Sequence, residues 1–202
     1  PDFFSKKELF FRKYNYTGSL KIADRVIAVS DFSKKTIVEN YGISPEKVRV
    51  SKIDIDGCFY RPLSKSFRSK SITPANGYIF YPANRWLHKN HDGLLKALAH
   101  LKRRRGMKID LVVTGYDTEE GGYSLKKFAC SYGIEDQVHD FGYVEIEELH
   151  SLYSNATLLV FPSLFEGFGI PLVEAMATEC PVAASNTASL PEIGGDAVLY
   201  FD

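Results

Sequence analysis

The fold class predicted by this 202-residue sequence is α/β, with a doubly wound parallel sheet, one complete domain and a fragment of a second. Three observations predict it. Short apolar runs such as 108–114 and 157–161 have strand length and are bounded by turn signals, Gly115 and Pro162. Longer segments with helical periodicity, such as 91–105, separate these runs, and strands spaced by helices pair in parallel through crossovers. The stretch from Phe165 to Pro171 joins a strand-like run to a helix-compatible one through two glycines, a strand–turn–helix unit.

Residues 1–60 read as the end of one α/β unit. Residues 25–30 form a strand, and a helix follows from Lys34 to about Tyr41, capped by Asp31 or Ser33 and stopped at Gly42. Residues 47–53 form the next strand. Residues 61–76, rich in serine, lysine and proline, read as a linker. Residues 77–202 make the second unit, with both ends of the chain reading as cut and this unit truncated at its C-terminus. Its strands fall at 78–81, 108–114, 137–143, 157–161 and 182–185, with a strand-like end at 197–201. Its helices fall at 91–105, where Leu94, Leu98 and Leu101 share a stripe, at 124–132, at 145–153 and after Gly169.

Hydrophobic residues make up 45% of the chain, enough for a sizeable core, and 25 basic residues balance 25 acidic ones. A net charge of zero gives no electrostatic footprint for nucleic acid. The three cysteines, Cys58, Cys130 and Cys180, are spaced for neither a metal nor a disulfide framework and read as buried free thiols of a reducing cytoplasm. No apolar run approaches the ~18 residues of a membrane span, and no signal peptide is visible. His88, His91 and His100 lack a carboxylate cluster and read as loop and helix-surface residues, so no metal is assigned. Lys102–Arg105 closes a helix, where cations suit the dipole; a patch for acidic lipid headgroups is the lesser reading.

The candidate chemistry gathers where the parallel strands end, the edge at which such sheets bind ligands. Gly167 and Gly169 permit close approach of a ligand to the main chain. Free N–H groups at the helix start, from Gly169 through Ile170 to Leu172, suit a diphosphate. Glu174, about one turn into that helix, can accept two hydrogen bonds from a ribose diol. Glu166 stands in the turn, facing the crevice. The loop 82–91 opens at the same edge and carries Arg85 and Lys89. Gly115 and Tyr116 border the same edge and are placed beside a base by topology.

The order Glu166, seven residues, Glu174-Ala175-Met176-Ala177, then Cys180-Pro181-Val182, Leu190-Pro191-Glu192 and Gly195-Asp196-Ala197 resembles the donor-binding region of retaining glycosyltransferases of the GT-B type, family four. Glu179 departs from it, since the family usually has glycine there. Residues 25–53 partly resemble the last elements of the family's N-terminal domain. The resemblance implies a Rossmann-like GT-B domain and hexosyl transfer, with mannose one candidate, from a UDP- or GDP-linked sugar to a glycan or lipid-linked acceptor. It implies retained anomeric configuration, no metal and no cofactor. Lys89 matches the family's phosphate lysine. The family's arginine falls at Asn84, so either Arg85 or Asn84 meets the phosphate. Glu166 and Lys89 are the catalytic candidates; Arg85, the main chain of Gly167, Phe168, Gly169, Ile170 and Leu172, and Glu174 are the donor-binding ones. The acceptor side lies mostly on the N-terminal domain, so the fragment is expected to be inactive or weakly active. The parent protein is expected to be cytoplasmic, peripheral to the inner face of the membrane. The alternatives are a non-catalytic nucleotide-sugar-binding or assembly module, or another GT-B enzyme such as an epimerase.

Overall fold

A computed structural model describes residues 5–64, 67, 69, 73–116 and 124–202. It contains two parallel sheets. The smaller pairs β1 (Val26–Ala28) with β2 (Val48–Val50) and carries α1 (Lys6–Ile22) and α2 (Asp31–Tyr41). The larger has six strands, all parallel: β3 (Ile79–Pro82), β4 (Leu111–Thr114), β5 (Val138–Asp140), β6 (Leu158–Phe161), β7 (Val182–Ser185) and β8 (Leu199–Phe201). They lie in the order β5-β4-β3-β6-β7-β8. The connecting helices are α3 (His91–Arg105), α4 (Leu125–Ser131), α5 (Ile146–Asn155), α6 (Ile170–Ala177) and α7 (Leu190–Gly194). The sheet is therefore doubly wound, and its direction of growth reverses between β3 and β6. Right-handed crossovers on the two sides of that point leave a crevice above it.

β4 and β7 are buried at every position. Strands covered on both faces read as continuous apolar or small-residue runs, which is how they stand in the sequence. α3 packs Leu94, Leu95, Leu98 and Ala99 on the core, begins at an Asn90 side chain that accepts from the Gly93 amide, and ends at Gly106 in the left-handed region. Part of the 61–76 linker expectation falls on residues 65, 66, 68 and 70–72, outside the described residues. Ile55 and Phe59, on the 1–60 side of the expected boundary, pack inside the larger core. Phe59 sits edge-on to Tyr153 at 5.9 Å.

Some local expectations are corrected. The cap of α2 is Ser30, whose hydroxyl accepts from the Ser33 amide at 3.0 Å; neither Asp31 nor Ser33 caps it. α1 carries no apolar stripe and buries no residue. It forms on a capping box, in which Ser5 accepts from the Glu8 amide and Glu8 accepts from the Ser5 amide. Of the three free thiols only Cys180 is buried, and Cys130 is exposed. His91 is buried against the Tyr81 ring at 4.8 Å, whereas the sequence placed it on a surface. Glu179 adopts φ 59°, so the glycine preferred by the family has a steric reason at this position. Among the described residues no helix is long and apolar enough to cross a membrane.

Candidate functional site

The loops that leave β3 and β6 diverge from neighbouring strands at the point where the sheet reverses. Tyr81, fully buried in β3, ties them together from below. Its hydroxyl donates to the Lys89 carbonyl at 2.6 Å and lies 3.2 Å from Ser163 Oγ. The Leu164 amide donates to the His88 carbonyl at 2.8 Å, and the Asn90 side chain donates to the Pro162 carbonyl at 3.1 Å. This framework brings two sequence-predicted residues into contact. Lys89 Nζ lies 2.6 Å from Glu166 Oε1, with the side chains 14% and 12% exposed. Asn90 adopts φ 57°, which turns the chain into α3 immediately after Lys89.

Glu174 lies beyond Gly169, whose φ of 104° starts α6 without a side-chain cap. A Cβ at Gly169 would stand 2.8 Å from Leu190, so glycine is required there for angle and for space. Gly167 has no such requirement: an added Cβ would meet Ser33 and Val29 only at ordinary distances. The Glu174 carboxylate accepts from the hydroxyl of buried Tyr153 at 2.7 Å. Burial pushes the Glu174 pKa up, and the Tyr153 bond pulls in the opposite direction. Sequence reasoning missed Tyr153 because an aromatic on the buried face of α5 reads as core.

Phe168 and Leu172 are buried, so only their main chains can serve a ligand, and the Leu172 amide already donates to the Gly169 carbonyl at 3.0 Å. Ile170 is exposed and borders the cleft. The Ser189 hydroxyl lies 3.1 Å from the Glu166 carbonyl and 3.0 Å from that of Phe168, which fixes the turn.

Arg85 is placed differently from the expectation. The chain after β3 stays extended, with the Ala83 amide on the Thr114 carbonyl and the Arg85 amide on that of Tyr116. Alternation along this extension turns Asn84 and Trp86 to the cleft and Arg85 inward. The Arg85 guanidinium donates to the carbonyls of Ala83 and Thr114 at 2.5 and 3.0 Å and to Asp140 Oδ1 at 2.5 Å. It is a buried fixture that joins β3, β4 and β5. Asn84, the family's arginine position, accepts from the Tyr116 amide at 2.9 Å. Gly115 approaches this segment so closely that a Cβ would lie 2.8 Å from Ala83 main-chain atoms.

The resulting cleft of about 390 Å³ is bordered by Lys89, Glu174, Trp86, Tyr116 and Tyr143. The Tyr116 and Tyr143 rings stack at 5.0 Å and 16° and remain exposed. The cleft thus combines a cation, a carboxylate and aromatic faces. Among the described residues no group of three or more His, Cys, Asp or Glu is disposed to hold a metal.

A doubly wound α/β domain with a cleft at the reversal point of its sheet is the class that fold and site define. The chain belongs to the glycosyl transferases group 1 family, whose model matches residues 64–200. It is 32% identical to the O-antigen chain mannosyltransferase B of Escherichia coli, over 100% of this chain and 54% of that protein. It is 31% identical to the MMP alpha-(1->4)-mannosyltransferase of Mycolicibacterium hassiacum, over 94% of this chain and 44% of the relative. It therefore spans about half the length of these relatives. In fold it is similar to Anabaena HepE, solved in complex with UDP and glucose, with a TM-score of 0.73 and 20% identity, covering 95% of this chain and 52% of the other.

Proposed function

We propose that this chain is the donor-binding half of a retaining mannosyltransferase that takes its sugar from a nucleoside-diphosphate mannose. The observation that carries the reading is the 2.6 Å contact of Lys89 with Glu166 across the reversal point, where Lys89 lines the same cleft as Glu174. Lys89 exchanges its carboxylate partner for the diphosphate and offsets the negative charge that grows there as the sugar departs. Glu174, held by Tyr153, accepts from the ribose hydroxyls. Tyr116 and Tyr143 supply faces for the base. Glu166, released from Lys89, meets the sugar near its reacting carbon. The bond from that carbon to the phosphate oxygen breaks, a bond to the acceptor hydroxyl forms on the same face, and the acceptor proton passes to the leaving phosphate. The mannosyltransferase relatives favour mannose, and O-antigen chain synthesis by one of them favours a glycan acceptor. The acceptor is a glycan or a lipid-linked glycan, held mainly by the N-terminal side at the cytoplasmic membrane face.

Calorimetric titration of the chain with GDP, UDP and GDP-mannose tests the donor site. The expected result is saturable GDP binding that is lost in Glu174→Ala and Lys89→Met. Absence of binding by either nucleotide at millimolar concentration sinks the assignment.

A further inference from the structure

The turn that carries Glu166 is held from outside its own unit. Ser30 and Ser33, at the start of α2, both donate their hydroxyls to the Gly167 carbonyl, at 2.7 and 3.0 Å. In the opposite direction, Glu192 of α7 reaches α2. Its two carboxylate oxygens accept from the amides of Asp31 and Phe32, at 2.9 and 3.0 Å. Lys52 Nζ lies 4.0 Å from the same carboxylate. Phe32 meets Phe165 edge-on at 5.7 Å. With the Ser33 amide taken by the Ser30 hydroxyl, the first-turn amides of α2 at Asp31, Phe32 and Ser33 all have acceptors, two of them on the other unit.

We infer that Glu192, acting with Ser30 and Ser33, is a positioning residue by which the small N-terminal unit sets the place of Glu166. This rests on the donor-site reading above. The chemistry of the contact supports a latch in preference to incidental packing. A carboxylate spread over two amides at a helix start gains both charge-assisted hydrogen bonds and the helix dipole. Its side chain is only 22% exposed, which limits screening by solvent. α7 also packs Leu190 beside Gly169, and Ser189, just before α7, holds the Glu166 and Phe168 carbonyls. The segment 189–192 therefore grips the turn at one end and the N-terminal unit at the other. Glu174 is held by Tyr153 and the Lys89 main chain by the β3–β6 framework, whereas the Lys89 ammonium rests on Glu166 itself. The latch consequently acts on the sugar end of the site, and the anchors of Glu174 and of the Lys89 main chain lie outside it.

The test combines amide hydrogen exchange and nucleotide titration on the chain with turnover in a form of the enzyme that spans the full length of its relatives, comparing Glu192→Ala and Glu192→Gln. Glu192→Ala is expected to speed exchange about tenfold at Asp31 and Phe32 and also at Leu172, whose amide is bonded to the Gly169 carbonyl of the turn and which Glu192 does not touch. Affinity for GDP changes by less than about threefold, and kcat falls about tenfold with KM for the donor nearly constant. Glu192→Gln, which keeps one acceptor oxygen, recovers part of both effects. Faster exchange confined to Asp31 and Phe32 overturns the inference, as does an equal loss of GDP affinity and kcat. If the unsubstituted chain binds neither GDP nor UDP, the donor reading falls, and the exchange at Leu172 still decides the latch. Should Glu192→Ala fail to fold, Ser33→Ala removes one bond to the Gly167 carbonyl from the other side and is read by the same measurements.

Discussion

Replacing Tyr153 by phenylalanine removes one oxygen from a position where its loss is felt by a single partner. The ring keeps its edge-on packing against Phe80 at 5.0 Å and Phe59 at 5.9 Å, so packing changes little. What disappears is the 2.7 Å hydrogen bond to the Glu174 carboxylate. A hydrogen bond to a charged group contributes about 1.5–3 kcal/mol, against about 1 kcal/mol for a neutral pair. The variant is therefore expected to lose about 2 kcal/mol at pH 8, which for a chain of this size lowers Tm by about 4–8 °C. Burial raises the Glu174 pKa, so the folded state takes up a proton there before the unfolded chain does as pH falls. Ionising Glu174 accordingly costs stability as pH rises through its folded pKa. In acid the Tyr153 bond becomes a bond between neutral groups. A double-mutant cycle with Glu174→Gln, followed by chemical denaturation, should show a coupling of about 2 kcal/mol at pH 8 that shrinks to about 1 kcal/mol or less at pH 4. A coupling near zero at pH 8 would refute the reasoning, because the hydroxyl would then not support the carboxylate.

Lys89→Met leaves the Glu166 carboxylate nearly buried without its cation; a loss of about 3 kcal/mol is expected, restored in Lys89→Met/Glu166→Gln, while GDP binding by calorimetry stays lost in both. Burial, reinforced by the nearby Arg85 and Lys89 charges, pushes the His91 pKa down to about 3 from 6.5. The unfolded chain thus binds a proton that the folded one refuses, and stability present above pH 6.5 should drain as pH falls toward 3, a slope that denaturation midpoints will show flattened in His91→Phe. Glu179→Gly relieves a left-handed backbone at φ 59° and should raise stability by about 1 kcal/mol, measured as a Tm increase of about 2–4 °C.

The alternation of strands and helices was legible because each buried strand leaves an apolar run and each helix leaves a stripe, as the 91–105 segment shows in full. α1 was not legible by that rule, since it carries no apolar stripe and only Leu20 near its end packs on the smaller core; its local signal was the Ser5 to Glu8 capping spacing. Glu166 and Glu174 stood out through residue type and spacing and Lys89 through the family resemblance, and the structure brings Glu166 and Lys89 into contact. The inward turn of Arg85 depends on how far the β3–β4 ladder continues past Pro82, and its partner Asp140 stands 55 residues away. A linear pattern carries no record of such a partner. The same holds for Tyr153, whose apolar ring fits the helix stripe and whose hydroxyl serves a residue 21 positions later.

The hydroxyl of Tyr81 bears on how this domain can be re-engineered. It touches the loop of Lys89 and the loop of Glu166 at once, from inside the sheet. A donor loop transplanted from a relative brings its own tip but not this shared footing. Exchange of the 82–91 segment alone should misplace the neighbouring turn, and a graft that carries Tyr81 and Ser163 together with both loops is the smallest unit that transfers intact.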